Sequence, residues 1–327
     1  MFGGAGVGVV GDEVLARGAD ELHDLVAQRQ VADVGMVEGL AAVGVLGSLA
    51  MSTRVVVVIG AGGIGQAIAR RVGSRRTVLL ADLDPDKLAG AAEALEATGH
   101  VVRTHPVDVA SRDSVRTLAQ AAAALGDVVN VVHTAGLSPV QASAAAILAV
   151  DLVGVAVVLD EFGGVIAPGG AGLVVSSMAG HMRALAPLTI EQEHALARTP
   201  TDELLQLLPF LGPDAVTDSG AAYALSKRAN HLRVSAAAVT WGDRGARVNS
   251  ISPGIILTPL ARDEMAVPGA AGYQAMIKQS AAGRVGTTDE VATAAAYLLN
   301  AGFVTGSDLL IDGGVIAAIN GGRLPRG

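Results

Sequence analysis

From Arg54 onward, short β-branched runs alternate with longer Ala-, Leu- and Arg-rich amphipathic stretches, and few folds satisfy that alternation. Val55–Ile59, Thr77–Ala81, Val101–Val107, Val128–His133, Gly172–Ser176, Arg247–Ile251 and Leu309–Ile311 read as strands. Gly65–Val72 and Pro85–Thr98 read as helices between them. Nearly continuous apolar strands must be covered on both faces, so the pattern predicts a parallel sheet with helices on each side, the doubly wound α/β arrangement. With 327 residues, 51% of them hydrophobic, the chain can fill the core of one such domain.

The first 50 residues lack this pattern. Gly3, Gly4, Gly6, Gly8 and Gly11 crowd the start, and the first basic residue, Arg17, follows Asp12 and Glu13, which does not fit a secretory signal. Residues 1–50 are expected to be a disordered extension, or upstream sequence read from a start set too early, with the domain beginning near Met51. Polar or glycine residues interrupt every apolar stretch before the roughly 18 residues a membrane helix needs. A formal net charge of -8 and only eight aromatic residues offer nucleic acid neither a basic surface nor a stacking platform. Cysteine is absent, which fits a reducing cytoplasm and removes thiolate chemistry. The seven histidines stand singly in sequence, with no pair at helical ligand spacing, and so predict no built-in metal.

The first strand runs into Gly60-Ala61-Gly62-Gly63-Ile64-Gly65 and then a helix. Such glycines let the backbone turn tightly and approach a pyrophosphate, whose charge meets free N–H groups at the helix N-terminus. Among 42 glycines, a G-x-G-x-x-G arises easily by accident. Its place at the first strand-to-helix turn favours a dinucleotide site. Asp82 ends the second strand, 17 residues beyond Gly65, where a carboxylate can accept from adenosine ribose hydroxyls. Neither the glycine loop nor Leu83 supplies a cation for a 2′-phosphate, so the expected cofactor is NAD. Asp84, before Pro85, is the better candidate for the cap of the next helix.

Tyr223 and Lys227 lie four residues apart, on one face of a candidate helix, and Ser177 ends the strand before them. A Y-x-x-x-K pair is common and becomes specific only in company. Here Asp108-Val109 follows the third strand and Thr134-Ala135-Gly136 the fourth. Later come Asn249-Ser250-Ile251-Ser252-Pro253-Gly254, Thr258, Gly283-Arg284-Val285-Gly286, Thr305-Gly306 and Asp312-Gly313-Gly314. In this order the motifs resemble the short-chain dehydrogenase/reductase family over Arg54 to Asp312. The resemblance implies a Rossmann fold and an alcohol–carbonyl oxidoreductase acting on a small to medium apolar substrate. In it, Tyr223 is the acid/base, Ser177 orients the substrate oxygen, and Lys227 holds the nicotinamide ribose and favours the tyrosinate. Pro253 and Gly254 would shape a loop whose Ile256 backbone and Thr258 hydroxyl hold the carboxamide. Ionising a tyrosine near neutrality takes roughly 4 kcal/mol. A cation about 4 Å away supplies a comparable Coulomb energy at an effective dielectric of about 20. Relatives of this kind often assemble as dimers or tetramers, so a homo-oligomer is expected.

Three departures bear on function. Ile59 replaces the threonine of the family's glycine turn, which is also one residue shorter here. Asp151, in Asp151-Leu152-Val153-Gly154, stands where the family carries an active-site asparagine. Two readings stay open for it, a proton-relay residue and a structural helix residue. Finally, Ser177 and Tyr223 are 46 residues apart, and the segment 181–220 reads as an insertion with helices at Ile190–Ala197 and Asp202–Leu208. Its many leucines must cover something, either an apolar ligand, as a lid, or a partner subunit. An NADP-preferring reductase and a non-catalytic dinucleotide sensor or scaffold remain the competing functions.

Overall fold

The computed structural model describes residues 52–212, 215–258, 261 and 271–325. The expectations for residues 1–50 lie outside that range. Seven strands form one parallel sheet: β1 (Arg54–Ile59), β2 (Thr77–Asp82), β3 (Val101–Pro106), β4 (Asp127–His133), β5 (Ile166–Val175), β6 (Arg247–Pro253) and β7 (Asp308–Ile311). Their order is β3-β2-β1-β4-β5-β6-β7, the doubly wound Rossmann arrangement. The direction of winding reverses between β1 and β4, and a crevice opens there at the carboxyl ends of the strands.

The helices are α1 (Gly63–Val72), α2 (Pro85–Glu96), α3 (Arg112–Leu125), α4 (Val155–Gly163), α5 (Ile190–Arg198), α6 (Ser219–Gly242), α7 (Ala271–Gln279), α8 (Thr288–Asn300) and α9 (Val315–Asn320). Their starts are set locally. Asp84 accepts from the backbone N–H groups of Asp86 and Lys87 ahead of Pro85, as the sequence predicts, Ser111 caps α3, and Asp218 caps α6. Thr287 and Glu290 form a reciprocal capping box on α8. One core lies on each sheet face. The first joins Val55, Val57 and Ile59 to α3, α4 and Trp241 of α6, and the second joins Val56 and Val58 to α1, α2 and α8.

Strand β5 begins six residues earlier than the sequence suggests. Pro168-Gly169-Gly170 reads as a turn, and Gly169 does take φ +77°, but the chain resumes its pairing beyond it. The register of β4 shifts where it meets β1 and β5. Asn130 pins the irregularity, accepting from Arg76 at 2.8 Å and donating to the Ala171 carbonyl at 3.3 Å.

The insertion is helical, as expected, with one change of type. Residues Thr201–Leu207 form a 3₁₀ helix and Leu208–Leu211 a separate α-helical turn, in place of one helix over 202–208. Pro209 explains the break, because it has no N–H to continue the ladder. The leucines also have a destination that neither sequence-based alternative names. Leu196, Leu204 and Leu211 are buried with Ile147, Leu148, Leu152 and Ala156 and with Ala222, Leu225 and Ala229 of α6. The insertion therefore buries its apolar side on helices of its own chain. Arg233 fastens it there, donating to the Leu196 and Thr199 carbonyls and to Thr201 Oγ1 at 2.9–3.2 Å. Leu185, Ile190, Leu205 and Phe210 stay exposed.

Candidate active site

The glycine turn is built from missing side chains. Gly60 has φ +105°, and a Cβ there would meet Thr134 Oγ1 and the Ala135 nitrogen. A Cβ on Gly65 would overlap the Gly60 carbonyl oxygen, so α1 and the turn touch through backbone alone. A Cβ on Gly62 would meet nothing within 4 Å. Gly62 caps α1 without a side-chain hydrogen bond, so no capping side chain occupies the first-turn N–H groups. This cradle fits a pyrophosphate. Thr134 closes its floor, donating to the Gly60 carbonyl at 3.0 Å, and the backbone N–H of Ala135 reaches the Ile59 carbonyl at 3.0 Å.

Asp82 sits at the end of β2, where one oxygen accepts from Ala61 N–H at 2.7 Å and the other from Asp84 N–H at 3.0 Å. Exposed Leu83 follows it. Contrary to the expectation that no cation stands near this position, Lys87 Nζ lies 3.9 Å from Asp82 Oδ1. It comes from the first turn of α2, four residues beyond Leu83. Asp108 accepts from Ala110 N–H and donates its own N–H to Ser114, shaping the turn into α3, while Val109 is buried against Gly154. At the other end of the crevice, Gly254 packs on Asp312 so closely that a Cβ would lie 2.7 Å from the Asp312 Cα. Pro253 ends β6, Ile256 bridges to Gly286, and the Thr258 methyl would lie 3.9 Å from a Cβ on Gly63. Thr258, at the end of this loop, thus lies beside the glycine turn.

Lys227 and Asp151 form the centre. The Lys227 ammonium is 2.8 Å from Asp151 Oδ1, with side chains 5% and 0% exposed. Asp151 Oδ2 accepts from Leu137 N–H at 3.0 Å. The carboxylate is carried on a π-helical segment, Leu148–Gly154, which leads directly into α4. A Cβ on Gly136 would lie 2.6 Å from Asp151 Oδ1 and 3.4 Å from Lys227 Nζ, so glycine is the residue that lets this pair form. Burial lowers the Lys227 pKa. The Asp151 carboxylate and Tyr223 outweigh it and hold the ammonium pKa above its ordinary value. Lys227 Nζ lies 5.1 Å from the centroid of the half-buried Tyr223 ring.

Ser177 ends the loop after β5, and its Oγ accepts from Ala179 N–H at 3.2 Å, leaving the hydroxyl hydrogen to be donated elsewhere. Its neighbour Ser176 donates to the Lys227 carbonyl at 3.0 Å, tying the Ser177 loop to α6. Sequence reasoning missed His133. It is buried at the end of β4 with both ring nitrogens unpartnered, and burial together with the Lys227 charge pushes its pKa down to about 3. Asn230, one turn past Lys227, is likewise buried with its amide unpartnered. Beside α6, a cavity of about 380 Å³ is walled by Met182, Ala186, Leu188, Glu193 and Arg228, between the insertion and the helix.

No helix among the described residues is long and apolar enough to cross a membrane. The short chain dehydrogenase family matches residues 54–186, and the family described as enoyl-(acyl carrier protein) reductase matches residues 207–316. A short-chain dehydrogenase/reductase, bsc3, from Alternaria brassicicola is 42% identical over 273 residues, covering 83% of this chain and 98% of the relative. Cyclopentanol dehydrogenase from Comamonas sp. is 38% identical over 99 residues, or 30% of this chain and 39% of that protein. Among solved structures, a short-chain type dehydrogenase/reductase from Mycobacterium ulcerans superimposes with a TM-score of 0.62 at 26% identity, covering 81% of this chain and 90% of that one. With the Rossmann sheet, the dinucleotide cradle and these matches together, the chain belongs to the short-chain dehydrogenase/reductase family of oxidoreductases, which bind a nicotinamide dinucleotide and act on small molecules.

Proposed function

We propose that this chain is an NAD(H)-dependent dehydrogenase that interconverts an alcohol and a carbonyl on a small to medium apolar substrate. The observation that carries the reading is the buried Lys227–Asp151 pair set against the Tyr223 ring, behind the loop that bears Ser177. A charged ammonium in that place favours the ionised phenol, so Tyr223 can take the alcohol proton at its hydroxyl oxygen and return it in the reverse direction. Ser177 donates to the substrate oxygen and fixes its orientation. Lys227 would also hold the nicotinamide ribose, and Asp151 keeps it charged and in place. When bound, the nicotinamide accepts or delivers the hydride. The cyclopentanol dehydrogenase likeness supports a secondary alcohol as substrate class. A homo-oligomer, dimer or tetramer, belongs to the same reading.

Gly60, Gly62, Gly63, Ile64 and Gly65 would hold the pyrophosphate, Asp82 and Leu83 the adenosine ribose, and Asp108 and Val109 the adenine edge. Thr134, Ala135 and Gly136 would border the nicotinamide ribose, and Pro253, Gly254, Ile256 and Thr258 the carboxamide. Asp82 favours NAD, because a 2′-phosphate would meet its charge. Lys87 favours a second reading, NADP, since its ammonium could turn from Asp82 to a phosphate. Purified protein with a panel of secondary alcohols, assayed with each cofactor, decides both points. Turnover with a higher kcat/KM for NAD is expected. A higher value for NADP would reverse the cofactor assignment, and dinucleotide binding with no turnover on any alcohol or ketone would favour a sensor.

A further inference from the structure

Three separate elements bring His181, His231 and Asp308 together behind the active site. His181 ends the 3₁₀ turn that follows Ser177, His231 lies on α6 one turn past Lys227, and Asp308 opens β7. One ligand atom from each lies within 4.8 Å of the others. His181 Nε2 is 2.7 Å from Asp308 Oδ2, and His231 Nε2 is 3.4 Å from Asp308 Oδ1. The three residues are 50 and 77 positions apart in sequence, which is why histidine spacing along the chain shows no ligand motif.

We propose that His181, His231 and Asp308 bind one divalent transition-metal ion of the zinc class, as a structural clasp between the Ser177 loop, α6 and the β6–β7 edge. Two imidazoles and one carboxylate are ligands suited to such an ion, and the absence of thiolates does not oppose it. Around an ion with ligands at about 2.0–2.1 Å in tetrahedral geometry, donor atoms stand roughly 3.4 Å apart. The histidines now stand 2.7 and 3.4 Å from the two Asp308 oxygens, with one ligand atom of each residue within 4.8 Å of the others, so ligation draws them together by side-chain rotation. The shell behind the ligands is also present. Ser250 and Ser252 donate to Asp308 Oδ1 at 2.6 and 2.9 Å, which orients the carboxylate and leaves Oδ2 toward His181.

His231 Nε2 now meets Ser252 Oγ at 2.8 Å. Because that serine donates to Asp308, His231 carries the proton at Nε2, and ligation requires the proton to move to Nδ1, with no change in charge. His231 is buried, while the His181 side chain is 28% exposed and provides the entry side. The clasp sits close beneath the catalytic loop. A Cβ on Gly180 would meet His231 Cε1 at 2.6 Å and the Lys227 carbonyl oxygen at 2.8 Å. An ion there would hold Ser177 and Lys227 at fixed separation without touching substrate.

The full-length protein, stripped with a chelator, is titrated with cobalt(II) chloride and, separately, with zinc chloride. One equivalent per chain is expected by elemental analysis after gel filtration, with cobalt d–d absorption and a rise of a few degrees in Tm. His181→Gln and Asp308→Asn should each lose the bound equivalent, whereas His194→Gln, on exposed α5, should retain it. His181→Gln replaces a partly exposed side chain, and far-ultraviolet circular dichroism checks that it folds. Wild-type protein that retains no metal, or His181→Gln that retains a full equivalent with unchanged absorption, would overturn the proposal and leave a hydrogen-bonded cluster without an ion.

Discussion

The glycine turn and the Ser177–Lys227 side of the crevice form their surfaces by opposite means. At the turn, the surface comes from what is missing: Gly60 and Gly65 let backbone approach backbone, and Gly62 leaves open space. Across the crevice, function comes from buried side chains that compensate one another, with Asp151 and Lys227 sealed under Gly136. The first kind of site is local, spanning six residues of one turn. The second is assembled from β4, the π-helical segment and α6, and its electrostatics exist only after folding. The two sides should therefore fail differently when perturbed.

The largest loss is expected in the structure that supports the catalytic side. Leu204 is fully buried between the insertion, the π-helical segment and α6, so Leu204→Ala should cost about 2–5 kcal/mol of stability. Urea denaturation measures it. A loss under about 1 kcal/mol, accompanied by a raised KM for large substrates only, would restore the insertion as a simple lid.

At the turn, Gly65→Ala forces a methyl into the Gly60 carbonyl. Displacing the loop should cost about 1–3 kcal/mol, which, taken from binding, is roughly a ten- to hundredfold weaker Kd for dinucleotide. Isothermal titration with unchanged affinity would show that the turn is not the cradle.

Asp151→Asn sharpens the comparison from the other side. Burial lowers the Lys227 pKa, and the Asp151 charge more than restores it. A group with a raised folded pKa contributes stability below its unfolded value, near 10.4, and loses it as pH rises through the folded value. With the carboxylate neutralised, burial acts with less opposition. The alkaline limb of kcat should move to lower pH, while dinucleotide binding at pH 7 changes little. An unmoved alkaline limb would make Asp151 a helix residue without influence on Lys227.

The smallest effect is expected from deleting residues 1–50, which carry none of the sequence motifs. Activity and Tm should be unchanged, and a Tm lower by several degrees would show that this segment packs on the domain.

The sheet was legible because most of its strands are short apolar, β-branched runs bounded by turn residues, and because a helix start such as Asp84-Pro85 carries its own cap signal. Asp82, Ser177, Tyr223 and Lys227 were readable for the same reason, as fixed positions at strand ends and on one helix face. Contacts between distant segments were not. Nothing in the sequence gathers His181, His231 and Asp308, which stand 50 and 77 residues apart. The insertion's leucines were read as seeking an outside partner because the helix face that covers them is built from residues with small side chains, Ala222 and Ala229 among them, which give little apolar signal of their own.

The central claim is that the tyrosine beside the buried Lys227–Asp151 pair transfers the proton. Tyr223→Phe removes one hydroxyl and leaves the ring in place. Measured with the best alcohol of the panel, kcat should fall by about 10²–10⁴-fold, while the Kd for NAD stays within about twofold, a difference under ~0.5 kcal/mol. A variant that keeps more than a tenth of wild-type turnover would contradict the account.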